Sequence, residues 1–295
     1  MTVDQGDEGA RWKTLTPAER EVAYSPSSCI GGDYSSYLAE YRDRSAMARA
    51  MVDRSQEHAY GPSPSQRLDL FMPAEAEPGD PPPLLVFIHG GYWQELSRAD
   101  SSFAAPAWVD QGVAFAAIGY TLAPKATLSE IVAECRQAVG WLRDHADEVG
   151  IDPDRMVVAG NSAGAHLAAM VALTDDLASA AVLISGVFDL RPLVGISIVE
   201  ALDLTTADAH ALSPALASVD GFPPSLVCWG EIETEEFKEQ SRRFAANLRS
   251  KGTTCTSFEV GARNHFDVIL DLADPDSAIG RGIASLLDGS MSGSS

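Results

Sequence analysis

The pentapeptide Gly160-Asn161-Ser162-Ala163-Gly164 stands between a short apolar run, Met156–Ala159, and a helix-forming run, AHLAAMVAL. A chain that passes from strand to helix through so short a link must turn sharply, and only small residues fit on either side of Ser162. The serine hydroxyl then projects above the sheet edge. The next helix aims its N-terminus at the same point, where negative charge is favoured. One segment thus fixes a strand–turn–helix geometry and supplies a candidate nucleophile, Ser162.

The same alternation runs through the chain. Leu84–Ile88, Val113–Ile118, Ala180–Ile184 and Ser225–Trp229 are further apolar runs, and Thr254–Val260 is a more polar one. Short continuous apolar runs suit strands buried on both faces of a mostly parallel sheet. Between them, Leu128, Ile131, Val132, Cys135, Val139 and Leu142 recur at helical spacing. So do Phe237, Phe244 and Leu248 within Glu235–Arg249. Strands separated by helices imply crossover units, hence an α/β chain with helices on both faces of a central sheet.

Residues 1–295 read as a single domain. Residues 1–60 form an N-terminal helical extension, with an amphipathic helix from Asp33 to Asp53 carrying Tyr34, Tyr37, Leu38, Tyr41, Met47 and Met51. Residues 74–83 are a turn-rich loop. Residues 191–220 lack strand character, hold two short helix-like pieces, and are expected to cap the mouth of a site. Residues 289–295 are a Gly/Ser tail expected to be flexible.

Net charge is −21 and the pI about 4.5. Such a surface repels phosphate backbones, so nucleic acid is not an expected partner. The charge reads as a solvated acidic surface rather than as a pointer to an acidic substrate. None of the four cysteines forms a CxxC pair; Cys135 and Cys228 read as buried hydrophobes. The first 25 residues are polar, without an apolar leader segment, and no window is apolar enough to span a membrane. A cytoplasmic enzyme with no metal or cofactor is expected, acting on a small molecule, with a homodimer left open.

His89-Gly90-Gly91-Tyr92-Trp93 follows the strand LLVFI. Successive glycines let bare N–H groups approach a substrate oxygen, which suits an oxyanion hole. The expected donors are Gly90, Gly91 or Tyr92, together with Ala163. His89 is expected to hold this loop through backbone hydrogen bonds rather than to catalyse.

A serine needs a base. Where a nucleophile sits on such a turn, the chain order is nucleophile, acid, histidine. His210 and His265 lie far enough beyond Ser162, and His265 is the one in a loop after a strand, GARNHFD. His58, His145 and His166 precede or sit too near the elbow; His166 is expected in packing. The acid should follow SLVCW. That stretch offers Glu231, Glu233, Glu235 and Glu236, of which the last two start a helix. Glu231 and Glu233 remain, with Asp189 an outside candidate more easily read as a turn cap.

Taken together, HGGYWQ (His89–Gln94), GNSAG (Gly160–Gly164), Glu236-Phe237 followed by Gln240-Ser241, and Asn264-His265-Phe266 resemble the kynurenine formamidase (arylformamidase) branch of the α/β hydrolases. TLAP at Thr121–Pro124, SG-x-x-DL at Ser185–Leu190 and YSPS at Tyr24–Ser27 fit as well, so the resemblance covers roughly residues 16–287. It implies an α/β-hydrolase fold and hydrolysis of N-formyl-L-kynurenine to L-kynurenine and formate. It also implies Glu233 as the acid, three residues before the Glu-Phe pair, where better-studied members carry Asp. Tyr92 and Trp93 are expected either to form aromatic walls for an aryl substrate or to pack in the core. The competing expectations are a carboxylesterase or other small-amide hydrolase on the same scaffold, and a non-catalytic binding protein of that fold.

Overall fold

The computed structural model describes residues 10–74 and 79–289, so the 289–295 tail, apart from Gly289, and part of the 74–83 loop lie outside the described residues. Eight strands form one sheet: β1 (Ser55–Ala59), β2 (Arg67–Phe71), β3 (Leu84–Ile88), β4 (Ala114–Ile118), β5 (Met156–Asn161), β6 (Ala180–Ile184), β7 (Ser225–Ile232) and β8 (Cys255–Asn264), in the order β1-β2-β4-β3-β5-β6-β7-β8. β1, β2 and β4 pair antiparallel; every other pair is parallel.

The helices are α1 (Pro17–Ala23), α2 (Ser35–Met51), α3 (Ala105–Val109), α4 (Leu128–Asp144), α5 (Ala146–Val149), α6 (Ala163–Ala172), α7 (Thr206–Ala211), α8 (Glu235–Ser250) and α9 (Ala278–Leu287). Successive side chains on a strand point to opposite faces, so an apolar strand feeds two cores. Leu84, Val86 and Ile88 of β3 pack with α4, α6 and α8. Leu85 and Phe87 of the same strand pack with α2, α3 and α9. Cys135 and Cys228 are buried, one in each core.

Two strands were not legible as such. β1 is exposed at every position but His58, and its chain partner β2 is a short run with Asp69 in its middle. The helix expected from Asp33 to Asp53 runs from Ser35 to Met51, and the last residues of the 1–60 extension form the strand β1 rather than helix. β1 is an exposed edge and needs no apolar run, while β2 lies between β1 and β4 and its run is broken by the buried Asp69. The 191–220 segment holds four short helical pieces rather than two: Arg191–Leu193, Ser197–Leu202, α7 and Pro214–Leu216.

β4 follows β3 on one side, while β5 returns to its other side. Strand order reverses there, and the loops leaving β3 and β5 diverge to open a crevice at their C-terminal ends.

Candidate active site

Both motif loops leave the sheet at this reversal. Ser162 caps α6 with φ 57° and ψ −121°, a conformation that costs energy outside glycine and persists only where the surroundings impose it. Its N–H donates to the Ile184 carbonyl at 2.9 Å, tying the turn to β6. A Cβ at Gly164 would lie 2.1 Å from the Ile88 carbonyl oxygen, so the first turn of α6 rests directly on the end of β3.

The loop after β3 folds back on itself. The N–H groups of Gln94 and Glu95 donate to the Gly91 carbonyl at 3.0 and 2.9 Å. Gly91 has φ 93°, and a Cβ there would meet the Glu95 carbonyl oxygen at 2.4 Å. Among the described residues, the N–H groups of Gly90, Gly91 and Tyr92 donate to no backbone acceptor. Ala163, the first residue of α6, has no acceptor within its helix. Among the described residues, these four N–H groups have no backbone acceptor, and Gly91 and Tyr92 line the cavity of Ser162.

His89 is 2% exposed and does not face the cavity of Ser162. Its Nδ1–H donates to the Gly90 carbonyl at 2.9 Å, and its ring stacks on Tyr120 at 4.2 Å. The Tyr120 hydroxyl donates to the His89 carbonyl at 3.0 Å. His166 packs beneath the loop, accepting the Trp93 indole N–H at Nδ1 (3.3 Å) and donating from Nε2 to the Leu212 carbonyl (2.7 Å). Burial pushes both imidazoles down to about 4. They stay neutral when folded, whereas in the unfolded chain they take up protons near pH 6.5. Between pH 6.5 and about 4 the unfolded state therefore binds more protons, and stability falls as pH falls. Asp69, Glu236 and Asp267, raised mainly by burial, offset part of this near the acid end. The melting temperature is expected to drop by several degrees from pH 7 to pH 5, and a flat profile over that window would contradict this account.

Trp93 is a correction to the expected substrate contacts. It is 0% exposed, lies against His166, and lines no part of the cavity, because φ 61° at Trp93 turns its side chain down into the core. Tyr92 does line the cavity, and its hydroxyl donates to the Tyr24 carbonyl.

His265 lies at the end of β8, against the ring of Phe237 at 4.5 Å. Asn264 shapes the loop: its side-chain oxygen accepts the N–H groups of Phe266 and Asp267 at 2.8 and 3.2 Å, and its amide donates to the Tyr37 hydroxyl at 2.9 Å. The Nδ1 of His265 is 3.0 Å from Oε2 of Glu233. Oε1 of Glu233 accepts from the Ser185 hydroxyl at 2.5 Å and from the Gly230 N–H at 2.6 Å, and the side chain has no solvent exposure.

The other acids lie elsewhere. Glu231 is exposed and accepts the Ala262 N–H at 2.7 Å. Glu235 pairs with Arg242 at 2.5 Å. Glu236 lies between Arg11 (3.3 Å) and the Tyr24 hydroxyl (3.5 Å). Asp189 caps its own turn, accepting the Arg191 N–H at 3.0 Å and holding its guanidinium at 2.9 and 2.7 Å. Gln240 was not singled out as a functional residue. It accepts the N–H groups of Phe188 and Asp189 at 3.0 and 2.8 Å and fixes the loop after β6; its place in the QS pair was the available signal.

Ser162 and His265 face one cavity of about 100 Å³. It is lined near the elbow by Gly91, Tyr92 and Asn161, and from far away in sequence by Tyr34 at the N-cap of α2, Leu38 and Tyr41 within α2, and Ile198. The cover is tied down by polar contacts. Gln94 donates to the Ile198 carbonyl at 2.6 Å, Arg20 to the Pro192 carbonyl at 3.0 Å, and Tyr41 to the Phe266 carbonyl. Among the described residues, no three His, Cys, Asp or Glu side chains are grouped to hold a metal, and no helix is long and apolar enough to cross a membrane.

Residues 68–191 match the BD-FAE family. Over 280 residues the chain is 30% identical to kynurenine formamidase of Danio rerio, covering 89% of this chain and 94% of that one. The chain belongs to the kynurenine formamidase family. Esterase LipQ of Mycobacterium tuberculosis is 26% identical over 71% of this chain and 56% of its own length. A crystal structure of a candidate thioesterase from Silicibacter sp. TM1040 superposes with a TM-score of 0.78 at 29% identity, covering 89% of this chain and 97% of that one. The protein is a hydrolase of the α/β-hydrolase fold, and kynurenine formamidase relatives match it nearly end to end.

Proposed function

We propose that the chain hydrolyses an aryl formamide, N-formyl-L-kynurenine, to L-kynurenine and formate, with Ser162 as nucleophile, His265 as base and Glu233 as its acid. The observation that carries this reading is the 3.0 Å contact from Glu233 to His265 Nδ1 at the wall of the cavity that also holds Ser162. A carboxylate on Nδ1 keeps the proton there and leaves Nε2 free to accept one.

Ser162 Oγ attacks the formyl carbon while His265 Nε2 takes its proton. The N–H groups of Gly90, Gly91 or Tyr92 with Ala163 hold the oxyanion. His265 returns the proton to the departing aryl amine, leaving formyl-Ser162. Water, deprotonated by His265, attacks the formyl ester and releases formate and free Ser162. A formyl group asks for almost no acyl room, which fits the small cavity. Esterase LipQ among the relatives favours a second reading, a carboxylesterase on the same scaffold.

The deciding assay measures kcat/KM for N-formyl-L-kynurenine beside p-nitrophenyl esters from acetate to octanoate. Strong formamide turnover with esters falling steeply beyond acetate is expected. Negligible formamide turnover with good hydrolysis of long esters would leave the carboxylesterase reading in its place.

A further inference from the structure

The cavity of Ser162 is lined by one carboxylic acid side chain. Glu95 lines it at an exposed position, and among the described residues no Lys or Arg does. Both Glu95 carboxylate oxygens lie 3.3–3.4 Å from the Tyr34 hydroxyl, which donates to them. The Tyr34 ring is stacked on Phe266 at 5.1 Å and 9°, beside His265. The Glu95 backbone is pinned through its N–H to Gly91. The carboxylate is thus held by Tyr34 and the backbone behind it by Gly91, and among the described residues the carboxylate has no ion-pair partner. Burial and this neighbouring carboxylate raise the Tyr34 phenol, so the field of Glu95 reaches into the aromatic wall.

We infer that Glu95 determines specificity by charge: it selects substrates that carry an ammonium group on the part remote from the bond being cleaved. The inference rests on Ser162 being the reaction centre. In N-formyl-L-kynurenine the group is the α-ammonium, and the α-carboxylate, which meets no cation in the cavity, faces solvent. The net charge of −21 works in the same direction by concentrating cations and repelling anions at the mouth.

The test uses isosteric aryl esters, 4-(aminomethyl)phenyl acetate and 4-ethylphenyl acetate, with Ser162→Ala subtracted as background. Glu95→Gln is expected to lower the cationic-to-neutral ratio of kcat/KM by roughly three- to fivefold, mostly through KM, as for a partly exposed ion pair. In the wild-type chain the preference should shrink as NaCl rises to about 0.5 M. A ratio unchanged by Glu95→Gln, or a preference unaltered by salt, overturns the inference. Hydrolysis of both esters by Ser162→Ala as fast as by the wild-type chain overturns it together with the assignment of the reaction centre. A ratio that shifts while formamides go untouched upholds it and removes only the formamide reading.

Discussion

Replacing Ser162 with alanine is expected to lower kcat by at least about 10⁴-fold, on the scale of removing the nucleophile from other serine hydrolases. The free N–H groups beside it remain, so weak catalysis above the background is expected to persist. Folding should be preserved, because backbone contacts shape the turn: Ser162 N–H to Ile184 at 2.9 Å, and the close approach of Gly164 to Ile88. Alanine keeps both. Steady-state kinetics beside a melting curve separate the two effects. Turnover within tenfold of wild type in a folded variant would place the reaction on another residue. Loss of labelling by a fluorophosphonate probe in the same variant would tie the reactive hydroxyl to this position.

Glu233→Gln is expected to cost about 10³- to 10⁴-fold in kcat, because it inverts the tautomer of His265. Oε1 of Glu233 accepts from both the Ser185 hydroxyl and the Gly230 N–H. In glutamine the carbonyl oxygen must take that place, since the amide nitrogen there would face the Gly230 N–H. The NH₂ group is then left pointing at His265 Nδ1. It makes Nδ1 an acceptor and moves the ring proton to Nε2, where no proton from Ser162 can be received. Glu231→Gln, by contrast, alters only an exposed contact with the Ala262 N–H, and turnover within about twofold of wild type is expected. Kinetics of the two variants side by side decide which glutamate serves His265; a reversed pattern would reassign the acid to Glu231.

Five of the six inner strands, β3 to β7, were legible because a strand buried on both faces is largely apolar, and Leu84–Ile88 or Ala180–Ile184 show this without any partner in view. The elbow was legible for a related reason: a turn with no room for side chains narrows the choice of residue beside Ser162 to small ones. His265 followed from chain order. Glu231 and Glu233 were not separable from spacing, because both are acids just past the same strand. The difference lies in what each meets in space, Ala262 for one and Ser185, Gly230 and His265 for the other.

Residues near in sequence thus determined the sheet's interior, the elbow and the identity of the candidate nucleophile, since periodicity and turn sterics act over a few residues. Tertiary structure alone decided the strands β1 and β2, the burial of Trp93, the contacts that set Glu233 rather than Glu231 against His265, and the cover over the cavity. These depend on contacts such as Tyr92 with Tyr24, 68 residues apart, and Tyr41 with Phe266, 225 apart. No local pattern encodes a contact of that kind: each partner is an ordinary residue in its own segment, and only the closed chain brings its polar group within reach of the other.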